Sequence, residues 1–165
     1  MDDDARTRFV EVWGQMGALW GINASMARVH ALLMASDDLL GLDDISAALT
    51  ISRGNASMCL KELRSWGVVR QHKLPGDRRD YYTSEPDVWR MFVAIIRERK
   101  RRELDPAVEA TQEILAHLGE DEGPAAERMR QMAVLLHSMS AVADKMLVDP
   151  QRARMLFSLL SEGQP

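Results

Sequence analysis

Residues 42–82 read LDDISAALTISRGNASMCLKELRSWGVVRQHKLPGDRRDYY, and this stretch decides the fold. Leu42, Ile45 and Leu49 repeat at helical spacing, and Asp43 and Asp44 fall in the first turn, where carboxylates suit the positive end of the helix dipole. Gly41 is an acceptable cap before them. After Thr50 and Ile51, Ser52 is a good N-cap and predicts a second helix from Arg53 to about Trp66. Its inward face is Ala56, Cys59, Leu60 and Leu63. Its outer face is Arg53, Ser57, Lys61 and Arg64, with Asn55 and Met58 beside it. Gly67 ends the helix. VVRQHKL then reads as a strand and DYYT as its partner, joined by the turn chemistry of Pro75-Gly76-Asp77, with Arg78 and Arg79 following.

Two helices separated by a tight turn, the second cationic outside, predict a helix-turn-helix, and the hairpin supplies its wing. From Arg53 to Arg79, seven basic residues stand against Glu62 and Asp77, a net of +5 on a chain whose net charge is −4. A local basic surface on an acidic protein fits phosphate binding at one face. The alternative is a winged helix that packs only against protein. The run ISRGNASMCLKELRSWGVVRQHKLPGDRRDYY, with ERKRRELDP and the earlier WG…ARVHALLMASDDLLGLDDISAAL, resembles the GbsR-like branch of the MarR superfamily of bacterial transcriptional regulators. The similarity covers at least Trp13 to Pro106. It implies a homodimeric winged-helix repressor or activator, often responsive to a small effector, whose Asp-x-Arg wing motif matches Asp77 and Arg79.

A length of 165 residues allows one domain, or one with a dimerisation extension, and 46% hydrophobic residues supply a real core. Cys59 is the only cysteine, so no intramolecular disulfide is expected. The start MDDDARTR is acidic where a signal peptide is basic, and no apolar run reaches membrane-spanning length, so a cytoplasmic protein without membrane contact is expected.

The expected class is mainly α with a small β wing, a winged helix-turn-helix flanked by N- and C-terminal dimerisation helices. Residues 1–22 form a first helix packing on the dimerisation region, residues 23–84 the winged helix and residues 85–165 a helical dimerisation region. The first helix, from about Asp4 to Trp20, carries Phe9, Val12, Trp13, Met16, Leu19 and Trp20 on one broad face; Gly14 and Gly17 weaken it or admit a close backbone. Asn23 caps a second helix burying Met26, Val29, Leu32 and Leu33, with His30 at the core edge rather than on a metal. SDDLLGL supplies a loop and a short strand. Ser84 or Glu85 is expected to cap a long helix with Pro86 in its first turn, and Val88, Trp89, Phe92, Ile95 and Ile96 as its stripe. In RERKRRE, internal ion pairs on a solvated face are favoured over phosphate contact. Pro106 is expected to break or kink the helix, with Asp105 capping a new one through Val108, Thr111, Leu115 and Leu118. From Pro124, Met129, Met132, Leu136, Met139, Ala143 and Met146 mark a seam expected at the homodimer interface. Asp149-Pro150 starts a last helix with Met155, Leu156, Leu159 and Leu160.

Read as a DNA-binding dimer, the Arg53 to Trp66 helix enters the major groove of double-stranded DNA. Arg53, Asn55, Ser57 and Met58 are the candidates for base readout, and Ser52, Lys61, Arg64 and Lys73 for phosphates. Arg78 or Arg79 reaches into the minor groove, Gly76 shapes the turn, and Asp77 holds it and orients Arg79. Trp13, Trp20, Trp89 and Phe92 could line an effector pocket, although aromatics at this spacing more often form plain core. Cys59 is better read as a buried inert thiol than as a redox sensor. No cofactor or metal is expected. His30, His72, His117 and His137 are scattered, without HExxH, GxSxG or P-loop patterns, which argues against an enzyme.

Overall fold

Short polar side chains set the helix starts in the amino-terminal half. Asp2 accepts from Ala5 N–H at 2.7 Å and opens α1 (Asp3–Leu19); Asn23 accepts from Met26 N–H at 3.1 Å and opens α2 (Ala24–Met34). The Asp44 carboxylate accepts from Gly41 N–H at 2.8 Å at the start of α3 (Leu42–Leu49), and Ser52 Oγ accepts from Asn55 N–H at 3.1 Å at the start of α4 (Arg53–Ser65). This computed structural model describes residues 2–119 and 122–161. The turn between α3 and α4 closes through Thr50, which takes a left-handed conformation at φ 54°, rare for a β-branched residue. Three strands, β1 (Leu40–Gly41), β2 (Val69–Lys73) and β3 (Asp80–Ser84), form an antiparallel sheet in the order β1-β3-β2. Arg70 pairs with Thr83 and His72 with Tyr81, while β1 pairs Leu40 with Tyr82. The short strand expected in SDDLLGL is therefore present.

The chain divides into two compact units, the first ending at Met91 and the second beginning at Phe92. In the first, α1 lies on α2, α2 on α4, and α3 on α4. Ile45, Leu60, Val29 and Val68 are its most deeply buried large side chains, and all four inward residues of α4 (Ala56, Cys59, Leu60 and Leu63) are buried as expected. The apolar stripe expected on α1 is buried only in part: Phe9, Trp13 and Met16 are half-buried. Val10, Gly14 and Gly17 are buried, whereas Val12, Leu19 and Trp20 are exposed, because the contact with α2 is made by small residues. A Cβ on Gly17 would lie 2.5 Å from the Cβ of Ala27. Gly17→Ala is thus expected to destabilise the fold by about 1–3 kcal/mol, measurable as a lowered urea midpoint.

His30 is enclosed in this core, only 3% exposed, edge-on to Trp13 at a ring separation of 6.4 Å. Burial lowers its pKa from 6.5 to about 4. Between those values the unfolded chain takes up a proton that the folded chain refuses. The stability tied to His30 is therefore complete above about pH 6.5 and is lost as pH falls towards 4, a total on the order of 3 kcal/mol. Urea midpoints compared at pH 7 and pH 5 should show this loss, and His30→Met should flatten it.

The helix after the wing begins later than expected. Glu85 N–H bonds to Val68 O at 2.9 Å and prolongs the hairpin ladder, so Ser84 and Glu85 cannot cap. Asp87 caps instead, accepting from Trp89 and Arg90 N–H at 2.9 and 3.1 Å, and α5 runs Val88–Arg99 with Met91 and Val93, not Val88, buried. Nor does Pro106 break the chain. A π-helical turn (Lys100–Leu104) leads directly into α6 (Asp105–Leu118); Asp105 is itself helical and donates its N–H to Lys100 O. Widening the ladder absorbs the missing Pro106 N–H without a fresh cap. The basic run carries internal ion pairs: Glu98 holds Arg101 and Arg102, Arg99 meets Glu103, and Lys100 meets Asp105 at 2.7 Å and Asp144 at 3.1 Å.

Gly119 ends α6, and the middle of the acidic loop, residues 120–121, lies outside the described residues. In the second unit α7 (Pro124–Met146) packs on α6, and Asp149 accepts from Gln151 N–H at 2.6 Å to open α8 (Pro150–Ser161). Phe92 meets Phe157 edge-on at 5.3 Å. Of the seam residues, Leu136, Ala143 and Met146 are half-buried while Met129, Met132 and Met139 are exposed; Leu136, Met139 and Ala143 border a groove with Ile96, Leu104 and Ala107 of the same chain. Val134, Leu135 and Val142 on α7 and Met155 and Leu159 on α8 add to the exposed apolar surface; the Leu160 side chain lies outside the described residues. No helix among the described residues is long and apolar enough to cross a membrane, and no cluster of three His, Cys, Asp or Glu among them could hold a metal ion.

Candidate nucleic-acid interface

The outward face of α4 is set by its inward one. With Ala56, Leu60 and Leu63 turned into the core, a 3.6-residue period places Ser57, Met58, Lys61 and Arg64 in solvent. Met58 is 74% exposed. Among the described residues, neither Lys61 nor Arg64 has a carboxylate within ion-pair distance. At the start of the helix Ser52 is occupied in capping and Arg53 is paired with Asp43 of α3 on an exposed surface. Asn55 sits differently. It is half-buried, its Nδ2 donates to Ser25 Oγ of α2 at 3.3 Å, and its Oδ1 accepts from Cys59 Sγ at 3.4 Å. One end of its carboxamide meets α2 and the other meets Cys59 one turn along α4, so as it stands the side chain braces the helix on its core.

The wing is tied together at its tip. Pro75 and Gly76, the latter at φ 79°, form a tight turn closed by Asp77 N–H on Leu74 O at 3.1 Å. The Asp77 carboxylate accepts from Arg79 N–H at 2.9 Å, from Arg79 Nη2 at 2.7 Å and from the Tyr81 hydroxyl at 2.7 Å. Arg79 lies over the Tyr81 ring, 5.3 Å from its centroid. The Arg79 side chain, then its N–H, then Tyr81 hold the Asp77 carboxyl well below the usual carboxylate range, and Asp77 in turn pushes the Arg79 guanidinium up. Arg78 is exposed and, among the described residues, unpaired. Lys73 pairs with Asp80 at 3.0 Å. Between α4 and the wing, Arg53, Ser57, Arg78, Arg79 and Tyr82 line a cleft of about 280 Å³ with Asp43, Asp44 and Asp80.

Four partners at this surface are not marked as such in the sequence: Asp43, Ser25, Asp80 and Tyr81. Only Tyr81 left a signal, since it follows Arg79 by two residues at the point where β3 leaves the turn. Cys59 is buried and its thiol is pushed up by burial, with Glu62 adding to the effect. Of the expected effector aromatics, Trp13 stacks on Phe9 at 5.5 Å within the first unit, Trp20 is 54% exposed, Trp89 is half-buried, and Phe92 meets Phe157 in the second unit.

Fold and surface together define a winged helix-turn-helix chain. No family model matches it. No curated protein matches it by sequence either. Among solved structures it is similar to a transcriptional regulator at 26% identity, over 87% of this chain and 95% of that one, with a TM-score of 0.69. It also aligns with two variants of S. aureus MepR at TM-scores of 0.41. Their identities are 18%, covering 84% of this chain and 90% of that one, and 17%, covering 86% and 91%.

Proposed function

We propose that this chain is a sequence-specific DNA-binding transcriptional regulator, a homodimer that places one α4 in each of two successive major grooves of a pseudo-palindromic operator. The observation that carries this reading is the exposed strip Ser57, Met58, Lys61 and Arg64, its two cations without a carboxylate at ion-pair distance among the described residues, beside a wing tip bearing Arg78 and Arg79. The likeness to a structure described as a transcriptional regulator supports it. The resemblance to the GbsR-like branch of the MarR superfamily favours a ligand-responsive repressor acting in the cytoplasm, and the exposed apolar residues of α7 and α8 favour self-association. Within the surface, Arg53, Ser57 and Met58 face bases; Lys61, Arg64 and Lys73 face phosphates; Asp77 fixes the wing.

The test is a binding titration on DNA from upstream of its own gene, with random DNA as control, at several salt concentrations. Arg78→Ala and Arg79→Ala are each expected to weaken specific binding about tenfold or more and to reduce the salt slope by about one per protomer. Arg79→Ala should in addition loosen the wing, read as faster amide exchange at Asp77 and Tyr81. Binding that is salt-insensitive, or absent at low salt, would replace this reading with that of a protein-interaction module. Equal binding to both DNAs would make it a non-specific architectural protein.

A further inference from the structure

The three cations of α4 are not alike. Lys61 and Arg64 face no carboxylate at ion-pair distance among the described residues, whereas Arg53, in the first turn, donates from Nη1 to Asp43 Oδ1 of α3. Both side chains of this pair are more than half exposed, and an ion pair so open to water contributes little to stability. Nor is Asp43 needed to start α3: Asp44 makes the capping bond, accepting from Gly41 N–H at 2.8 Å. What the pair does fix is the direction of a long side chain at the end of the helix closest to the bases.

A guanidinium has five N–H donors in a planar fork, and reading a guanine takes two of them on one edge, against O6 and N7. With Nη1 engaged by Asp43, the edge formed by Nε and Nη2 makes no hydrogen bond among the described residues. That edge is left whole for a base, and the side chain is restrained before DNA arrives, which lowers the entropy lost on contact. Charge acts in the same direction. A free cation is drawn to any phosphate and so adds affinity for every sequence. A cation already answered by a carboxylate is drawn less, and the carboxylate itself is repelled by phosphates. Asp43 lines the cleft between α4 and the wing with Arg53, Ser57, Arg78 and Arg79, so this repulsion falls on the candidate nucleic-acid surface.

We propose that Asp43 is a positioning residue for sequence readout: it holds Arg53 by one nitrogen, leaves the Nε–Nη2 edge for a guanine in each half-site, and disfavours settling of Arg53 on phosphate. Asp43 acts through Arg53 and touches no base itself. This role rests on the DNA-binding reading and adds to it the base that Arg53 selects.

The experiment is a set of anisotropy titrations on DNA from upstream of the gene, on copies with each base pair of one half-site changed in turn, and on random DNA. The proteins are the parent, Asp43→Asn, Arg53→Ala and the double variant. Changing one half-site reads one protomer of the dimer. Arg53→Ala is expected to relax discrimination at one G·C pair about fivefold or more. Asp43→Asn keeps the side chain's size and an accepting oxygen but not its charge. It is expected to relax the same pair about three- to tenfold and to bind random DNA about two- to fivefold more tightly at low salt. In the double variant the asparagine should add nothing at that pair. Without DNA, nitrogen relaxation at Arg53 Nε should show a restrained side chain in the parent and a freer one in Asp43→Asn. Any of these results would overturn the proposal: unchanged discrimination in Asp43→Asn whatever its affinity, relaxation at a base pair that Arg53→Ala leaves alone, the same loss with and without Arg53, no gain on random DNA, or an Arg53 equally mobile in both proteins. In each of them a parent that selects its site keeps the regulator reading standing. A parent that binds every sequence alike removes that reading, and this role with it.

Discussion

Replacing Lys61 and Arg64 together by glutamate is expected to lower affinity for a specific DNA site roughly hundred- to ten-thousand-fold per protomer bound, since each half-site loses two charge-assisted hydrogen bonds of about 1.5–3 kcal/mol each. These two cations are the better choice for such a test. Arg53 already shares its charge with Asp43, and Arg79 with Asp77, so part of their loss would reflect broken internal pairs. Lys61 and Arg64 are one helical turn apart, exposed, and face no carboxylate within pairing distance among the described residues. Their phosphate contacts would displace condensed counterions, so the salt slope should shrink by about two per protomer, about four for the dimer on its operator. Fluorescence anisotropy at three or more salt concentrations measures both quantities. The fold should be untouched, because neither side chain packs in the core, and a thermal melt checks that. A double variant that bound DNA as tightly as the parent chain would move the interface off this face of α4.

Helix α4 was legible because each of its determinants is local. Ser52 caps it, its inward residues follow the helical period, and Gly67 stops it, all within one stretch. The wing was legible for the same reason, since Pro75-Gly76-Asp77 specifies its turn wherever the strands go. What the sequence hid is side-chain partnership across distance. Ser25 lies thirty residues from Asn55, and nothing in either segment announces that the asparagine amide is held there. On α1 the glycines were legible as points of close approach, and only the burial of Val12, Leu19 and Trp20 was misread. Close approach to α2 selects the small residues, Gly14 and Gly17, over these large ones. Pro106 misled in a third way. A proline removes one N–H, but a π-helical turn just before it lets the chain stay helical, and the ion pairs of Lys100 with Asp105 and Asp144 span that turn. The candidate partners on DNA were thus easier to read than the groups that brace them.

Leu60→Ala is expected to cost about 2–5 kcal/mol of stability, a large part of the roughly 5–15 kcal/mol that holds a domain of ordinary size. Leu60 is 1% exposed and sits where α4 meets α2, so the lost side chain leaves a cavity in the middle of the amino-terminal core. Two residues earlier on the same helix, Met58 is almost free in solvent, and Met58→Ala should change stability by no more than about 0.5 kcal/mol. The pair separates scaffold from surface within a single turn. Urea unfolding should show a lowered midpoint for Leu60→Ala with an unchanged slope, and no shift for Met58→Ala. On DNA the order should reverse under conditions where both proteins are folded. Leu60→Ala should then bind nearly as the parent does, because its outward residues are intact. Met58→Ala should lose discrimination at one base pair of the half-site, by about 1–3 kcal/mol if its contact is to a thymine methyl. If Met58→Ala instead destabilised the chain as much as Leu60→Ala, the orientation of α4 on its core would be wrong, and the candidate interface with it.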